Sequence, residues 1–195
     1  MGFIAFTIFS NIASAQLVSI GALGGVPITD TTGRNDESRP YTVGGSVEVR
    51  LPAGFALEAD ALYRRVGSTL SFLSIGGTPS LGIDRRRGNS WEFPLLGKYY
   101  FRRTSAWQPF FGTGFAFRTI DIHEDGSVLS GAPITLSPFS GGFREPLNAG
   151  ATVAGGLRLH YSRLAILPQI RYTRWGGVSG VAPKNETSFL LGVSF

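Results

Sequence analysis

Polar and apolar residues alternate along several stretches of the chain, each long enough to be a β-strand. From Ser90 to Arg102, one face carries aromatic and aliphatic residues such as Trp91, and the other carries polar residues such as Lys98. A period of two with different chemistry on its two faces indicates a strand that separates an apolar from a polar medium. The segment from Phe55 to Arg65 repeats the pattern.

We predict eight such strands of about 10–13 residues each, close to the ~9–11 residues that a tilted strand needs to cross a bilayer. The predicted strands are 16–26, 40–51, 54–65, 90–102, 107–119, 148–160, 163–174 and 186–195.

The connections between these strands alternate in length. Short connections follow the even-numbered strands, at Pro52-Ala53, Arg103 to Ala106 and Tyr161-Ser162. Long, polar, Gly-rich connections follow the odd-numbered strands, at 27–39, 66–89, 120–147 and 175–185. This alternation is typical of barrels with short periplasmic turns and long outer loops. The sequence therefore predicts an all-β fold, an eight-stranded antiparallel up-and-down transmembrane β-barrel with both termini in the periplasm.

The two faces of these strands predict which side meets lipid. An eight-stranded barrel has an interior just wide enough for side chains, so it cannot hold all of the aromatic faces. We therefore expect the rings to face acyl chains and the charged residues to face the lumen. The predicted lumen charge network is Glu48, Arg50, Glu58, Asp60, Arg64, Glu92, Lys98, Arg118, Arg158 and Arg171. We interpret it as a salt-bridged plug, because unpaired buried charge is costly; a small polar pore is the alternative.

Aromatic residues near the strand ends predict two girdles at the membrane interfaces. The outer girdle comprises Tyr63, Trp91, Phe117, Tyr172 and Trp175, and the periplasmic girdle comprises Phe55, Tyr99, Phe101, Trp107, Tyr161 and Phe195. Pro94 and Pro168 lie inside predicted strands, where each deletes a ladder hydrogen bond, and we expect a β-bulge at each position.

Composition narrows the function classes. The 195 residues include no Cys, which excludes disulfides and thiolate chemistry. The net charge of +5 is spread along the chain, so no nucleic-acid partner is expected. Residues 1–15 are uncharged and end in Ala13-Ser14-Ala15, which predicts a secretory signal peptide cleaved before Gln16 and a barrel domain over 16–195. An apolar first strand is the alternative.

The last strand alternates and ends on an aromatic residue, with Phe189, Leu191, Val193 and Phe195 on one face. Together with Trp91-Glu92-Phe93-Pro94-Leu95-Leu96 and Arg171-Tyr172-Thr173-Arg174-Trp175, this segment resembles the outer membrane protein β-barrel domain family. That family is related to the transmembrane domain of outer membrane protein A and to the opacity-type barrels. The resemblance implies a location in the outer membrane of a Gram-negative bacterium. It also implies that the barrel-assembly machinery recognises those four residues.

The sequence offers little catalytic chemistry. His160-Tyr161-Ser162 has the His-x-Ser spacing of the lipid A deacylase barrels, but the topology puts it at a periplasmic turn, away from the outer leaflet where that family acts. We expect no catalysis, no cofactor and no bound metal. Arg85, Arg86 and Arg87 are candidates for contact with lipopolysaccharide phosphates, and a solvated charge run is the alternative.

These observations favour a monomeric structural or surface-interaction protein that acts through its long extracellular loops. Its expected partners are outer-membrane lipid, lipopolysaccharide and the assembly machinery. The alternatives are a narrow porin-like channel, a lipid A-modifying enzyme and a soluble lipocalin-like barrel. Three measurements would distinguish these alternatives: conductance in planar bilayers, the mass of lipid A after expression, and partition into the aqueous fraction without detergent.

Overall fold

The computed structural model describes residues 18–28, 41–74, 80–102, 105–130, 135–161, 163–177 and 182–195, which form one antiparallel sheet. Its strands are β1 Val18–Pro27, β2 Thr42–Arg50, β3 Phe55–Ser74, β4 Ser80–Tyr100, β5 Trp107–Ser130, β6 Thr135–Arg144, β7 Asn148–Tyr161, β8 Leu164–Trp175 and β9 Asn185–Ser194. Across these ranges, no helix is long and apolar enough to cross a bilayer. The predicted signal peptide lies outside the described residues.

Eight of the strands close into a barrel. Each barrel strand pairs with the next one along the chain, β5 pairs with β7 past the intervening β6, and β9 returns to β1 through pairs such as Gly21 with Ser194. Closure leaves no open edge within the barrel wall, so the backbone polar groups there can pair with each other. The predicted eight-stranded antiparallel barrel is confirmed.

The two ends of the barrel differ in their connections. At the turn end, β2 and β3 are joined by the 3-10 turn Pro52–Gly54, where Ala53 and Gly54 have φ of 67° and 86°. At the opposite end, which we call the hairpin end, β3, β4 and β5 are 20, 21 and 24 residues long, whereas β2 has nine.

Burial alternates along the barrel strands as the sequence pattern predicts. On β4, the inward-facing Lys98 is 1% exposed, whereas Phe93 on the outer face is 42% exposed. Phe115 on β5 is 67% exposed, whereas Arg118 is buried. Charged side chains therefore point into the lumen and large apolar ones point outward, opposite to the arrangement of a lipocalin-like barrel.

The predicted long loops 66–89 and 120–147 are largely strand. Residues 65–74 of β3 pair with 80–89 of β4, and 121–130 of β5 pair with both β4 and β6. We call these four segments the protruding sheet, because they continue beyond Arg64, the last residue of β3 that pairs with β2. The third predicted strand ends at Arg65 and the fourth begins at Ser90. The outward face changes from apolar to polar there, but both strands continue.

The expected β-bulges at Pro94 and Pro168 are absent from the described strands. The register on both sides of Pro94 is unchanged, from Ala59 with Leu95 to Leu62 with Glu92, with a gap of two pairs between them. Around Pro168 the pairing with β7 shows the same two-residue gap without a shift in register. Each proline instead faces an interruption of one ladder, where its missing N–H deletes a bond without adding a residue to the strand.

Outward positions from Phe55 to Tyr63 on β3 and from Trp91 to Tyr99 on β4 belong to a band of uncharged residues, which we call the apolar belt. Aromatic pairs line both of its ends. The rings of Tyr63 and Trp91 lie 5.3 Å apart near the hairpin end, and Phe55 and Tyr99 lie 5.2 Å apart at the turn end. The Tyr63 hydroxyl also donates to Asn89 at 2.7 Å, so an apolar ring and a polar contact meet at this boundary, as expected of interfacial aromatics.

Trp175 is an exception to the predicted outer girdle. Its side chain is fully buried in the lumen, because it lies on the same face of β8 as Arg171. The prediction was wrong because it placed Trp175 by its position at a strand end and did not follow the alternation to that residue.

Candidate functional site in the barrel lumen

The ten residues of the predicted lumen charge network all lie on inward-facing positions. Nine of them are buried, and Arg50, at the turn end, has a side chain that is 34% exposed. They come from six strands, since Glu48 and Arg50 lie on β2, Arg158 on β7 and Arg171 on β8, and the other six on β3, β4 and β5. The network thus ties opposite sides of the wall together.

Glu48 is the acceptor nearest the turn end. Its carboxylate accepts hydrogen bonds from the Tyr100 hydroxyl at 2.5 Å and from Arg158 Nη1 at 2.6 Å. Lys98 Nζ lies 3.5 Å from the same carboxylate, and Arg50 Nε lies 3.6 Å from it. These donors come from three strands, β2, β4 and β7, so Glu48 links β2 to β4 and β7.

The middle of the lumen holds a chain of alternating charges. Glu58 accepts a hydrogen bond from Lys98 and lies 3.3 Å from Arg171 Nη2. Arg171 Nη1 lies 2.8 Å from Asp60 Oδ2. Each charge here faces one of opposite sign, which offsets part of the cost of removing it from water.

Glu186 organises the half of the lumen nearest the hairpin end. Arg64 donates to both of its carboxylate oxygens, the second at 2.9 Å, and also lies 3.3 Å from Glu92. Arg118 Nη1 lies 3.6 Å from Glu186. The Arg118 guanidinium stacks 4.2 Å from the ring centre of Trp175, whose indole N–H lies 3.4 Å from Glu186.

Glu186 was missed in the sequence analysis. It lies on β9 on the same face as Ser188 and Leu190, opposite the face of Phe189 and Leu191. The alternation that assigned the outward face of β9 therefore also carried the signal for this inward carboxylate.

The buried charges of the described lumen balance. The buried carboxylates are Glu48, Glu58, Asp60, Glu92 and Glu186, and the buried cations are Arg64, Lys98, Arg118, Arg158 and Arg171. Five charges of each sign give a net charge close to zero, and the half-exposed Arg50 is an additional cation at the turn end.

Little space remains between the charged side chains of the described lumen. A cavity of about 10 Å³ lies among Ser19, Glu48, Glu58, Arg158 and Ser194. Such a volume admits about one water molecule. The Ser19 and Ser194 hydroxyls are buried without a hydrogen-bond partner in the structure, so they are suitable partners for a water at this level.

The other sequence candidates lie outside this network. His160 Nε2 lies 3.3 Å from Gln108 Oε1 at the turn end, and Ser162, its partner in the His-x-Ser spacing, lies outside the described residues. Phe189, Leu191, Val193 and Phe195 are all exposed on the outer face of the last strand.

The arginine run 85–87 belongs to β4 in the protruding sheet and not to a loop. Arg86 points to the inner face of that sheet, where its Nε lies 2.8 Å from Glu124 and 3.1 Å from Asp84. Arg85 and Arg87 are exposed on the opposite face.

No protein-family model matches the chain, and no curated protein matches it. Among solved structures, it is similar to Neisserial surface protein A, with 14% identity, a TM-score of 0.51, and coverage of 91% of this chain and 94% of that one. The N-terminal barrel domain of Pseudomonas aeruginosa OprF matches at 14% identity and a TM-score of 0.47, covering 91% and 96% of the two chains. Ail of Yersinia pestis matches at 13% identity and a TM-score of 0.48, covering 91% and 94%. The similarity to Neisserial surface protein A shows that the chain has the fold of the outer-membrane barrels to which the sequence was likened.

Proposed function

We propose that this chain is an integral outer-membrane protein whose lumen is closed by ion pairs and whose protruding sheet makes contacts at the cell surface. The observation that carries the proposal is the combination of an apolar belt around a charged, filled lumen with a sheet that, among the described residues, extends beyond the belt at the hairpin end.

The outer face supports insertion in a bilayer. Outward positions from Phe55 to Tyr63 on β3, and from Trp91 to Tyr99 on β4, carry Gly, Ala, Leu and aromatic residues without a charge. Nine residues match the ~9–11 that a tilted strand needs to cross a bilayer. The next outward positions on these strands are Arg65 and Asn89, which suit a polar headgroup region.

The filled lumen supports a plug rather than a pore. An eight-stranded barrel leaves room only for side chains, and the described lumen is occupied by ten paired, buried charges together with Trp175 and Tyr100. Opening a water path through it would require several of these ion pairs to separate.

The protruding sheet supports a role in surface contact. All ten residues of β6 are exposed, and the nine residues 135–143 carry no charge. Among the described residues, β6 pairs only with β5, so no described strand lies along its other edge. Such an edge can accept an extended polypeptide segment as an additional strand. We propose that class of partner for this surface.

A row of leucines adds apolar contact to that edge. Leu73, Leu81, Leu129 and Leu136 are paired in register across all four strands and share the outward face. Each is at least 40% exposed. The row lies ten residues beyond Tyr63, which is about 33 Å along an extended strand, and is therefore far above the belt.

Lipopolysaccharide is a second proposed partner, through the outward face between the belt and the leucine row. Arg65, Arg85 and Arg87 all lie on this face. Arg86 lies on the opposite, inner face, near Glu124 and Asp84. Replacing Arg85 and Arg87 with Ser should weaken lipopolysaccharide binding, while Arg86→Ser should change it less. Equal effects from all three would contradict this assignment.

Cysteine labelling of intact cells tests the location and orientation. The chain has no Cys, so a single Ser140→Cys substitution on β6 provides a unique thiol. A membrane-impermeant maleimide should label it on whole Gram-negative cells, whereas Ala106→Cys at the turn end should react only after the outer membrane is permeabilised. Labelling of both sites on intact cells, or of neither, would refute the proposed orientation.

Adhesion tests the role of the β6 edge. Cells that display the protein should attach to surfaces coated with reduced casein, an unfolded polypeptide, more than cells without it. Lysines at Ser137 and Ser140 should abolish the difference, because charges on an edge strand oppose strand addition. The matched control is Ser105→Lys at the turn end, which should leave attachment unchanged. If the β6 variant attaches as well as the unmodified protein, the edge is not the contact.

A further inference from the structure

The turn end carries a polar pocket beside the lumen network. It has a volume of about 130 Å³ and is lined by Arg50, Leu51, Gly54, Phe55, Tyr100 and Gln108. This volume is about thirteen times that of the cavity beside Ser19 and Ser194, which leaves room for a phosphate group and its first ester carbons.

Arg50 is the cation that this pocket presents. Its side chain is 34% exposed, and its Nε lies 3.6 Å from Glu48, beyond hydrogen-bond distance. Glu48 already accepts shorter hydrogen bonds from Tyr100 and Arg158. The planar guanidinium therefore has donors that Glu48 does not satisfy, and such a fork matches the oxygens of a phosphate.

The charge balance favours an anion at this end. The buried charges of the described lumen cancel, and Arg50 adds one positive charge beside Arg158 and Lys98, which share Glu48. A bound anion would supply the missing negative charge. The exposed carboxylates of the protruding sheet, such as Asp125, lie at the opposite end of the strands and cannot do so.

The apolar wall of the pocket is compatible with an anion that belongs to a lipid headgroup. Leu51 and Phe55 are 42% and 52% exposed, and Phe55 stands at the turn-end boundary of the apolar belt. The pocket thus offers a cation and polar groups on one side and a route to the belt on the other.

We propose that this pocket binds a phosphate group, with the Arg50 guanidinium as its main ligand. Its source is either free phosphate or the headgroup of a phospholipid in the leaflet at the turn end. The proposal concerns the opposite end of the barrel from the surface contacts, so either can fail without the other.

The test uses the folded protein in octyl glucoside, a detergent without phosphate. Inorganic phosphate and dihexanoyl phosphatidylglycerol are titrated separately, and the backbone amide signal of Gly54 is followed by NMR. Dihexanoylglycerol, which lacks the phosphate, is the matched amphiphile. We expect a saturable shift of Gly54 with at least one phosphate compound and none with dihexanoylglycerol. A response to both compounds assigns the site to the phosphate group itself, and a response to one compound identifies its source.

Variants decide whether Arg50 is the ligand. Arg50→Gln should raise the apparent Kd at least tenfold, and Arg163→Gln, an exposed arginine at another turn of the same end, should leave it unchanged. Both variants must show the heat-modifiable gel migration of the unmodified protein, which establishes that they are folded. Absence of any saturable shift, or equal weakening by the two variants, would overturn the proposal.

Discussion

Glu186 is the carboxylate that holds together the hairpin-end half of the lumen. It is shared by Arg64, Arg118 and the indole of Trp175, and all four side chains are buried. Removing one member of such a buried group leaves charges without a counter-charge, which costs more than the original pairing contributes. The local balance of charge therefore matters more than any single bond.

Glu186→Gln should lower the free energy of unfolding by about 3–5 kcal/mol, because two arginines remain buried with only Glu92 to offset them. Equilibrium unfolding in urea with the barrel in detergent micelles measures this change. The control is Asp125→Asn, an exposed carboxylate of the protruding sheet, which should stay within about 0.5 kcal/mol. Comparable losses in the free energy of unfolding from the two variants would show that the buried ion pairs of Glu186 stabilise the barrel no more than an exposed carboxylate does.

Alternation was a dependable guide at the scale of single residues. It assigned the inward positions of Glu58, Lys98 and Arg171, because a strand in a closed wall has only two faces. It failed where another rule displaced it, as for Trp175, which was assigned by its place at a strand end. Contacts between particular residues, such as Glu186 with Arg64, could not be predicted, because they depend on the register of strands distant in sequence.

At the scale of elements, the strands are longer than the apolar pattern alone indicates. β4 begins at Ser80, ten residues before the predicted start at Ser90. The apolar pattern ends at the edge of the apolar belt, whereas the ladder continues as long as neighbouring strands pair. The sequence therefore predicted the strands of the apolar belt and missed the protruding sheet, where the outward face no longer stays apolar.

The prolines provide a second test at this scale. Pro94 occupies a gap in the ladder between β3 and β4, so Pro94→Ala removes no hydrogen bond and should change the free energy of unfolding by less than about 1 kcal/mol. Leu95 is paired with both Ala59 and Phe115. Leu95→Pro should cost about 1–3 kcal/mol more than Leu95→Ala, because it leaves a buried backbone group unsatisfied. Urea unfolding in micelles again provides the measurement, and a large loss from Pro94→Ala would contradict the gap.

At the scale of the whole molecule, the same side chains that stabilise the barrel also block it. Ion pairs cross the lumen at several levels, from Glu48 near the turn end to Glu186 near the hairpin end. A closed wall satisfies its own backbone in lipid, but its polar interior needs either water or counter-charges. In this chain the described lumen supplies counter-charges.

Conductance across planar bilayers tests whether the ion pairs close the lumen. The unmodified protein should give no large, steady channels. Glu58→Ala combined with Lys98→Ala removes a buried pair of opposite charges from the middle of the lumen and leaves Arg171 with Asp60, so the charge balance is kept while volume is opened. This double variant should show measurable conductance. The matched control removes Arg86 and Glu124, a pair in the protruding sheet, and should remain closed. Large, steady channels from the unmodified protein would show that the lumen is a pore and not a plug. Water would then already occupy the path that the ion pairs are expected to close.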